Sequence, residues 1–440
     1  MSAILVKNGR VIDPAQSLDA KRDVLFSADG RVQAVEPRGK LNAAAKNLGA
    51  EIVDAQGSVV APGLIDIHTH MREPGQAWKE TIATGTRAAI AGGFTAVCAM
   101  PNTVPVNDSP EWTRWMQSPE RDAMAAVFPV AAATVGSLGE QVTEYAQLKE
   151  AGAVAVSDDG KPILGDEIMR ACLMAAAKAK LPVIQHAEDT RLTGGCSMNA
   201  GALAFRLGLR GYTAEAEAAI VRRDIKLLEE LDAKHRKTAH LHVAHVSTHA
   251  ALTAVRAAKR RGLHVTCEVA PHHFTLSDAA VADYNTHAKM YPPLRAVQDR
   301  DAMIEGLLDG TVDCIATDHA PHAIHEKQQE FERAPNGILG LETALGLTTR
   351  ILHQQHGMAL PRVLALLSAN PAKIIGVDRK RGHLRPGALG GAVIFSPDAF
   401  WTYSANGSQS LSRNTPFDGW KLPGEIAAVV YGGAVHRPAH

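Results

Sequence analysis

Eight short apolar runs, separated by stretches of helix-forming residues, constrain this 440-residue chain more than any other feature. The runs lie at 64–70, 94–99, 127–133, 153–157, 182–186, 241–245, 263–269 and 312–317, and they read as strands of a parallel sheet covered on both faces. Between them, segments 78–91, 166–180, 214–234, 249–261 and 299–308 carry the Ala, Leu, Glu, Lys and Arg content and spacing of amphipathic helices. Eight strands alternating with helices predict an α/β fold, a (β/α)8 barrel of the TIM type, whose chemistry sits at the carboxyl ends of the strands. The flanks differ. Short β-like runs between residues 4 and 60, with Asn-Gly at 8–9 and Asp-Gly at 29–30, and again after Asn370-Pro371, are each too small for a core. The expected division is therefore a catalytic barrel at 61–370 and one small β domain composed of 1–60 and 371–440.

The strand ends carry the polar residues. They supply His68 and His70, Asn102, Asp158-Asp159-Gly160, His186, His245, Glu268 and the run Thr317-Asp318-His319-Ala320-Pro321-His322. In His68-Thr69-His70 strand alternation aims both imidazoles one way and Ile67 and Thr69 the other, which makes a two-nitrogen clip. One His-X-His alone is weak; four imidazoles and two or more carboxylates converging on one barrel mouth suit a divalent ion, zinc first, with manganese or cobalt as alternatives. A carboxylate can bridge two such ions, and a paired site would lower the pKa of bound water enough for attack on an amide carbon. Asp318 is positioned to take the proton of that water and hand it to a leaving nitrogen. Asp158-Asp159-Gly160 also reads as a solvated turn, and Glu268 as a carboxylate that orients a ligand or as a structural hydrogen-bond partner. His240 and His242 read as packing residues and His272-His273 as a polar loop pair. Arg72, two residues beyond the clip, calls for a substrate with a carboxylate, because a desolvated guanidinium otherwise lacks its two-oxygen partner. Asn102 and His322 can complete that anion pocket, although capping explains Asn102 equally well.

Composition excludes other classes. Lys plus Arg and Asp plus Glu are equal at 46 each, so there is no bulk electrostatic grip on nucleic acid or an anionic membrane. No run approaches the roughly 18 apolar residues of a membrane span, and residues 1–10 lack a signal core, so a cytoplasmic protein is expected. Five cysteines without a C-x-x-C pair suggest neither a disulfide framework nor a thiolate zinc site.

These motifs identify a resemblance. The chain resembles the bacterial class I dihydroorotases of the amidohydrolase superfamily through His-Thr-His-Met-Arg-Glu-Pro-Gly at 68–75, Met-Pro-Asn-Thr at 100–103 and Ser-Asp-Asp-Gly at 157–160. It continues through Gln-His-Ala-Glu-Asp at 185–189, His-Val-Ser-Thr at 245–248, Ala-Thr-Asp-His-Ala-Pro-His at 316–322 and Asn-Thr-Pro-Phe-Asp-Gly-Trp-Lys-Leu at 414–422. The resemblance implies reversible cyclisation of N-carbamoyl-L-aspartate to dihydroorotate in pyrimidine synthesis, with one or two zinc ions per subunit. It implies that His68, His70 and Asp318 hold one ion, His186 and His245 the other, and that Asp159 bridges them. Asp318 would be the acid and base. His70, Arg72, Asn102, Tyr291, His322, Asn336 and Gly337 would face the substrate, under a mobile cover formed by 323–336. The family usually has Asn where Tyr291 stands and an aromatic residue at Asn336, so altered ring recognition is expected. A homodimer and an association with aspartate carbamoyltransferase are further implications. Allantoinase-like or hydantoinase-like activity is the nearest alternative, disfavoured by Arg72; a silent scaffold subunit is the other, disfavoured because every expected ligand position holds a ligand type.

Overall fold

The computed structural model describes residues 2–438. The eight apolar runs form one sheet in chain order: β1 (Leu64–Thr69), β2 (Phe94–Ala99), β3 (Ala126–Ala131), β4 (Ala155–Val156), β5 (Pro182–Gln185), β6 (His240–Val243), β7 (Val265–Val269) and β8 (Cys314–Ile315). Every neighbouring pair is parallel. A parallel bridge between Thr69 and His319 closes the ring, and beside it the His70 N–H donates to the His319 carbonyl at 2.9 Å. The Thr317 N–H donates to the buried Asp66 carboxylate at 3.1 Å across the same seam. The fold is thus the (β/α)8 barrel that the alternation predicts.

Five helices fall where the sequence places them: α1 (Ile82–Ala91), α2 (Asp166–Ala179), α3 (Ala214–Glu229), α4 (His249–Arg260) and α5 (Val297–Asp309). In α4 the buried residues Ala251, Leu252, Val255 and Ala258 form the apolar stripe that packs inward, and Thr248 caps its first turn. Two boundaries differ from expectation for local reasons. Helix α1 begins at Ile82, because Thr81 and Thr84 exchange side-chain and backbone hydrogen bonds in a capping box and leave Lys79 and Glu80 in the preceding segment. The segment 214–234 breaks after Glu229, and Asp232 caps a separate helix, Ala233–Thr238.

Pairing along β1 is irregular. Its register with β2 shifts between Leu64 and Ile65 and again between Asp66 and Thr69. The alternation of faces survives: Ile65 and Ile67 pack with Ala96, Cys98, Ile184 and Cys314, while His68 and His70 both reach the carboxylates of Asp159 and Asp318.

The two ends of the chain build a second sheet. Strand Ile4–Asp13 pairs with Leu18–Phe26, Glu51–Asp54 and Val59–Pro62, and Val59–Pro62 pairs with Ala392–Thr402, which continues to Lys421–Tyr431 and Ala434–His436. Asn8-Gly9 is not a turn between strands. It lies at a register shift inside one strand, with Asn8 in the left-handed region at φ 64°. Asp29-Gly30 does turn the chain, between Leu18–Phe26 and Val32–Pro37. A separate apolar cluster, including Val6, Val24, Val60, Ile394 and Val430, fills this unit. Among the described residues no helix is long and apolar enough to cross a membrane.

Candidate metal centre

The carboxyl ends of the strands bring six side chains to one point. His68 and His70 leave β1, Asp159 follows β4, His186 follows β5, His245 follows β6 and Asp318 follows β8. All six are buried. Asp159 is central: its Oδ1 lies 3.3 Å from His68 Nε2, 3.5 Å from His186 Nδ1 and 3.7 Å from His245 Nε2, and its Oδ2 lies 3.5 Å from His70 Nε2. Asp318 Oδ1 lies 3.0 Å from His70 Nε2 and 3.7 Å from His68 Nε2. Asp158, its neighbour in sequence, turns away and accepts from the Thr134 N–H and hydroxyl. Neither aspartate is solvated: Asp159 faces the imidazoles and Asp158 is buried against Thr134.

Three of the imidazoles are held from behind. His68 Nδ1 donates to Glu268 Oε1 at 2.6 Å, His70 Nδ1 to Asn102 Oδ1 at 2.9 Å, and His186 Nε2 to Glu188 Oε2 at 3.1 Å. With the outer nitrogen donating, the inner nitrogen keeps its lone pair and faces Asp159. Fixing the tautomer through such an outer partner is how proteins prepare histidine for a metal. Glu268 takes a second imidazole as well, His242 Nε2 at 3.1 Å, and so is occupied by the histidines behind the cluster. His242 is thus more than packing, and His272 and His273 are not a loop pair but lie buried in the short helix Pro271–Thr275; His273 Nε2 donates to the Pro292 carbonyl at 3.0 Å.

Charge fits a cation. Burial opposes ionisation of Asp159, but the imidazoles packed around it, His68 first and then His186 and His245, outweigh it and hold the carboxyl well below the usual range. Asp318 is likewise resisted by burial and brought down to about 2 by His68 and His70. His68 Nε2 and Asp159 Oδ1 are both buried without a hydrogen-bond partner. Two unsatisfied ligand-type atoms facing each other among imidazoles are accounted for by a divalent ion, and the nitrogen and carboxylate donor set suits zinc, manganese or cobalt.

Beside the cluster lies a cavity of about 360 Å³, lined among others by Arg72, Asn102, Tyr291, His322 and Asn336. Arg72 is in the left-handed region at φ 58°, and its Nε donates to the Pro321 carbonyl at 3.1 Å and its Nη2 to His322 Nε2 at 3.3 Å. Burial lowers the guanidinium to about 10, which leaves it charged at neutral pH. His322 is driven down to about 2 by burial and by Arg72 and Lys79, so it is neutral. Gly337 has a steric reason: a Cβ there would sit 2.5 Å from the Ala320 carbonyl oxygen and 2.7 Å from His322 Cδ2. The segment expected to be a mobile cover is tied down. Lys289 Nζ donates to the carbonyls of Phe331, Glu332 and Ala334, and Lys327 Nζ to that of Pro335.

The sequence reading missed Glu188, Lys79 and Asn414. Lys79 pairs with Glu326 at 3.1 Å, and Asn414 accepts from the His322 N–H while donating to the carbonyls of Ala320 and Gly337. Glu188 could have been found two residues beyond His186. The other two come from distant segments, and no spacing announces them.

A parallel barrel with imidazoles and carboxylates gathered at its strand ends defines a metal-dependent cyclic amidohydrolase. The fold is similar to that of L-hydantoinase from Arthrobacter aurescens, with a TM-score of 0.85, 22% identity and coverage of 100% of this chain and 97% of the other. It is also similar to dihydropyrimidinase from Brevibacillus agri, with a TM-score of 0.83, 22% identity and coverage of 99% and 95%. In sequence the chain is 46% identical to the dihydroorotase of Geobacter metallireducens over 98% of this chain and 99% of that one, and 47% identical to that of Solibacter usitatus over 98% and 97%. A family model described as dihydro-orotase-like matches residues 57–251. The chain belongs to the dihydroorotase family.

Proposed function

We propose that this chain is a dihydroorotase, which closes N-carbamoyl-L-aspartate to (S)-dihydroorotate with release of water, and opens it again, in de novo pyrimidine synthesis. The observation that carries the reading is a buried carboxylate, Asp159, facing four imidazoles beside the half-buried Arg72. Similarity to dihydroorotases along nearly the whole chain supports the same activity. Hydantoin-type rings carry no carboxylate and would leave Arg72 without an anionic partner. A silent scaffold would keep His68 Nε2 and Asp159 Oδ1 buried and unpaired to no purpose.

In this reading His68, His70 and Asp318 hold one ion, His186 and His245 the other, and Asp159 bridges; zinc is the expected metal, at one or both positions, with manganese or cobalt as substitutes. Bound ions would supply Lewis acidity at the ring amide and an acidified water. The chain's own residues do the rest. Arg72 pairs the substrate carboxylate, and Asn102 and His322 complete the anion pocket. His70, Asn336, Gly337 and the ring of Tyr291 form the remaining wall. In ring opening Asp318 takes a proton from the attacking water and delivers it to the departing nitrogen; in closure the same carboxylate takes the proton from the attacking nitrogen and gives it to the departing oxygen.

The barrel at 61–370 is the catalytic unit in this account, and 1–60 with 371–440 is the composite β domain. Strand pairing between Val59–Pro62 and Ala392–Phe395 at the junction supports that division. A homodimer is part of the proposal, checked by gel filtration. So is association with aspartate carbamoyltransferase, whose product is this enzyme's substrate. The five free cysteines agree with a cytoplasmic location. The test is substrate preference: dihydroorotate should be opened far faster than hydantoin or allantoin, and Arg72→Met should erase the preference. A parent enzyme that prefers hydantoin would overturn the assignment.

A further inference from the structure

Tyr291 lines the substrate cavity, yet its hydroxyl is committed elsewhere. It donates to Glu188 Oε1 at 2.6 Å, and the Thr193 hydroxyl donates to the same oxygen. The other oxygen of Glu188 receives His186 Nε2–H at 3.1 Å. Glu188 is 3% exposed, so these contacts are made without competition from bulk water. On the far side of the same ring, His186 Nδ1 lies 2.9 Å from His245 Nε2 and 3.5 Å from Asp159 Oδ1.

Packing holds the phenol as firmly as its hydrogen bond does. The ring lies 15° from parallel to His186 at 6.2 Å, and Tyr212 meets it edge-on at 5.2 Å. Tyr212 is itself buried and carries the Arg295 guanidinium over its ring at 4.5 Å. The phenol oxygen therefore has little freedom to swing from Glu188 toward a ligand in the cavity.

We infer that Tyr291 and Glu188 form a positioning relay for His186: Tyr291 fixes the carboxylate, the carboxylate fixes the tautomer and tilt of the imidazole, and His186 Nδ1 is thereby presented to a divalent ion. The inference rests on the metal reading given above and deepens it. It assigns the hydroxyl of Tyr291 to ion binding and leaves only the face of its ring to the substrate. Because the acceptor on His186 is an anion held by two hydroxyl donors, removing one hydroxyl loosens the carboxylate without abolishing its bond to the imidazole. The larger effect belongs to Glu188.

The experiment uses the full chain stripped of ions by chelation and titrated with Co(II), read by visible absorption and by competition with a chromophoric chelator. Outer partners of metal-bound histidines typically contribute about 10- to 100-fold in affinity. Tyr291→Phe should weaken Co(II) binding about tenfold, at the low end of that range, and Glu188→Gln should weaken it more. Thr193→Val should act in the same direction as Tyr291→Phe, and adding Tyr291→Phe to Glu188→Gln should change nothing further. With ions saturating, KM of the Thr193→Val enzyme for dihydroorotate, whose altered side chain does not line the cavity, should stay near the parent's. Unchanged Co(II) affinity with a raised KM in Tyr291→Phe would give the hydroxyl to the substrate and overturn the relay. Equal losses from Tyr291→Phe in both backgrounds would separate it from Glu188 and overturn it too. A parent chain that takes up no Co(II) would overturn the metal reading itself, an outcome distinct from either of these.

Discussion

Replacing Arg295 with Met tests how the turn that presents His245 is supported. Arg295 is 2% exposed, and its Nη2 faces Glu217 Oε2 at 3.4 Å; its Nη1 donates to the Tyr212 carbonyl at 3.0 Å and Asn199 Oδ1 at 3.3 Å, and its Nε to Ser247 Oγ at 3.0 Å. Glu217 in turn accepts from the backbone N–H groups of Ser247 and Thr248 and from both hydroxyls, which fixes the turn just after His245. Removing one partner of a buried ion pair costs about 3–5 kcal/mol. The four donors that remain on Glu217 and the loose 3.4 Å contact favour the low end. Asn199 Oδ1, left without Arg295, adds about 1 kcal/mol where water cannot reach it, whereas the Tyr212 carbonyl keeps the Ala200 N–H. Arg295→Met should therefore cost about 3–5 kcal/mol in all. Urea unfolding of the ion-free chain measures it as a lowered midpoint at unchanged slope, with the double substitution Arg295→Met, Glu217→Gln recovering part of the loss. A cost below about 1 kcal/mol, typical of an exposed pair, would refute the reasoning, as would a double variant no more stable than the single one.

Other consequences follow from single contacts. Burial raises Asp224 to about 6 against the opposing pull of Arg223, so the folded chain binds this proton more readily than the unfolded one between about pH 4 and 6. The stability this adds is complete below pH 4 and lost as pH rises through 6; relative to Asp224→Asn, the parent should lose up to about 3 kcal/mol between pH 4 and 7, and parallel curves would count against it. Gly337→Ala pushes a methyl against the Ala320 carbonyl and His322, so KM for dihydroorotate should rise several-fold with ion content unchanged. Glu268→Gln removes the carboxylate shared by His68 and His242, and ion affinity should fall about 10- to 100-fold in chelator competition.

The barrel was legible because its strands are buried on both faces and so write themselves as apolar runs, and because the polar exceptions fall at strand ends. That placement puts His68, His70, Asp159, His186, His245 and Asp318 among the strand-end residues, and the family resemblance singles out these six and prefers Asp159 to Asp158. Geometry that depends on strand irregularity was not legible. The register shifts between β1 and β2 are an example, because periodicity carries no mark of them. Partners supplied from far away were equally hidden. Asn414 reaches His322 across 92 positions, and Tyr291 reaches Glu188 across 103, so neither pairing has a local signature. Tyr291 was expected at the substrate from the family resemblance; the direction of its hydroxyl is set by Glu188, Thr193 and Tyr212, which only the folded arrangement brings beside it. The cover at 323–336 looked mobile because it is polar, whereas Lys289 and Lys327 satisfy its carbonyls from below.

The central claim is that the cluster around Asp159 binds divalent ions and that these ions act on dihydroorotate. Metal analysis of the purified chain, coupled to a dihydroorotate hydrolysis assay before and after chelation and again after adding Zn(II), tests it most directly. The account requires one or two ions per chain, activity that disappears with them and returns with Zn(II), and loss of both in Asp159→Ala. A chain that opens dihydroorotate equally well without ions, or that binds them and leaves dihydroorotate untouched, would contradict it.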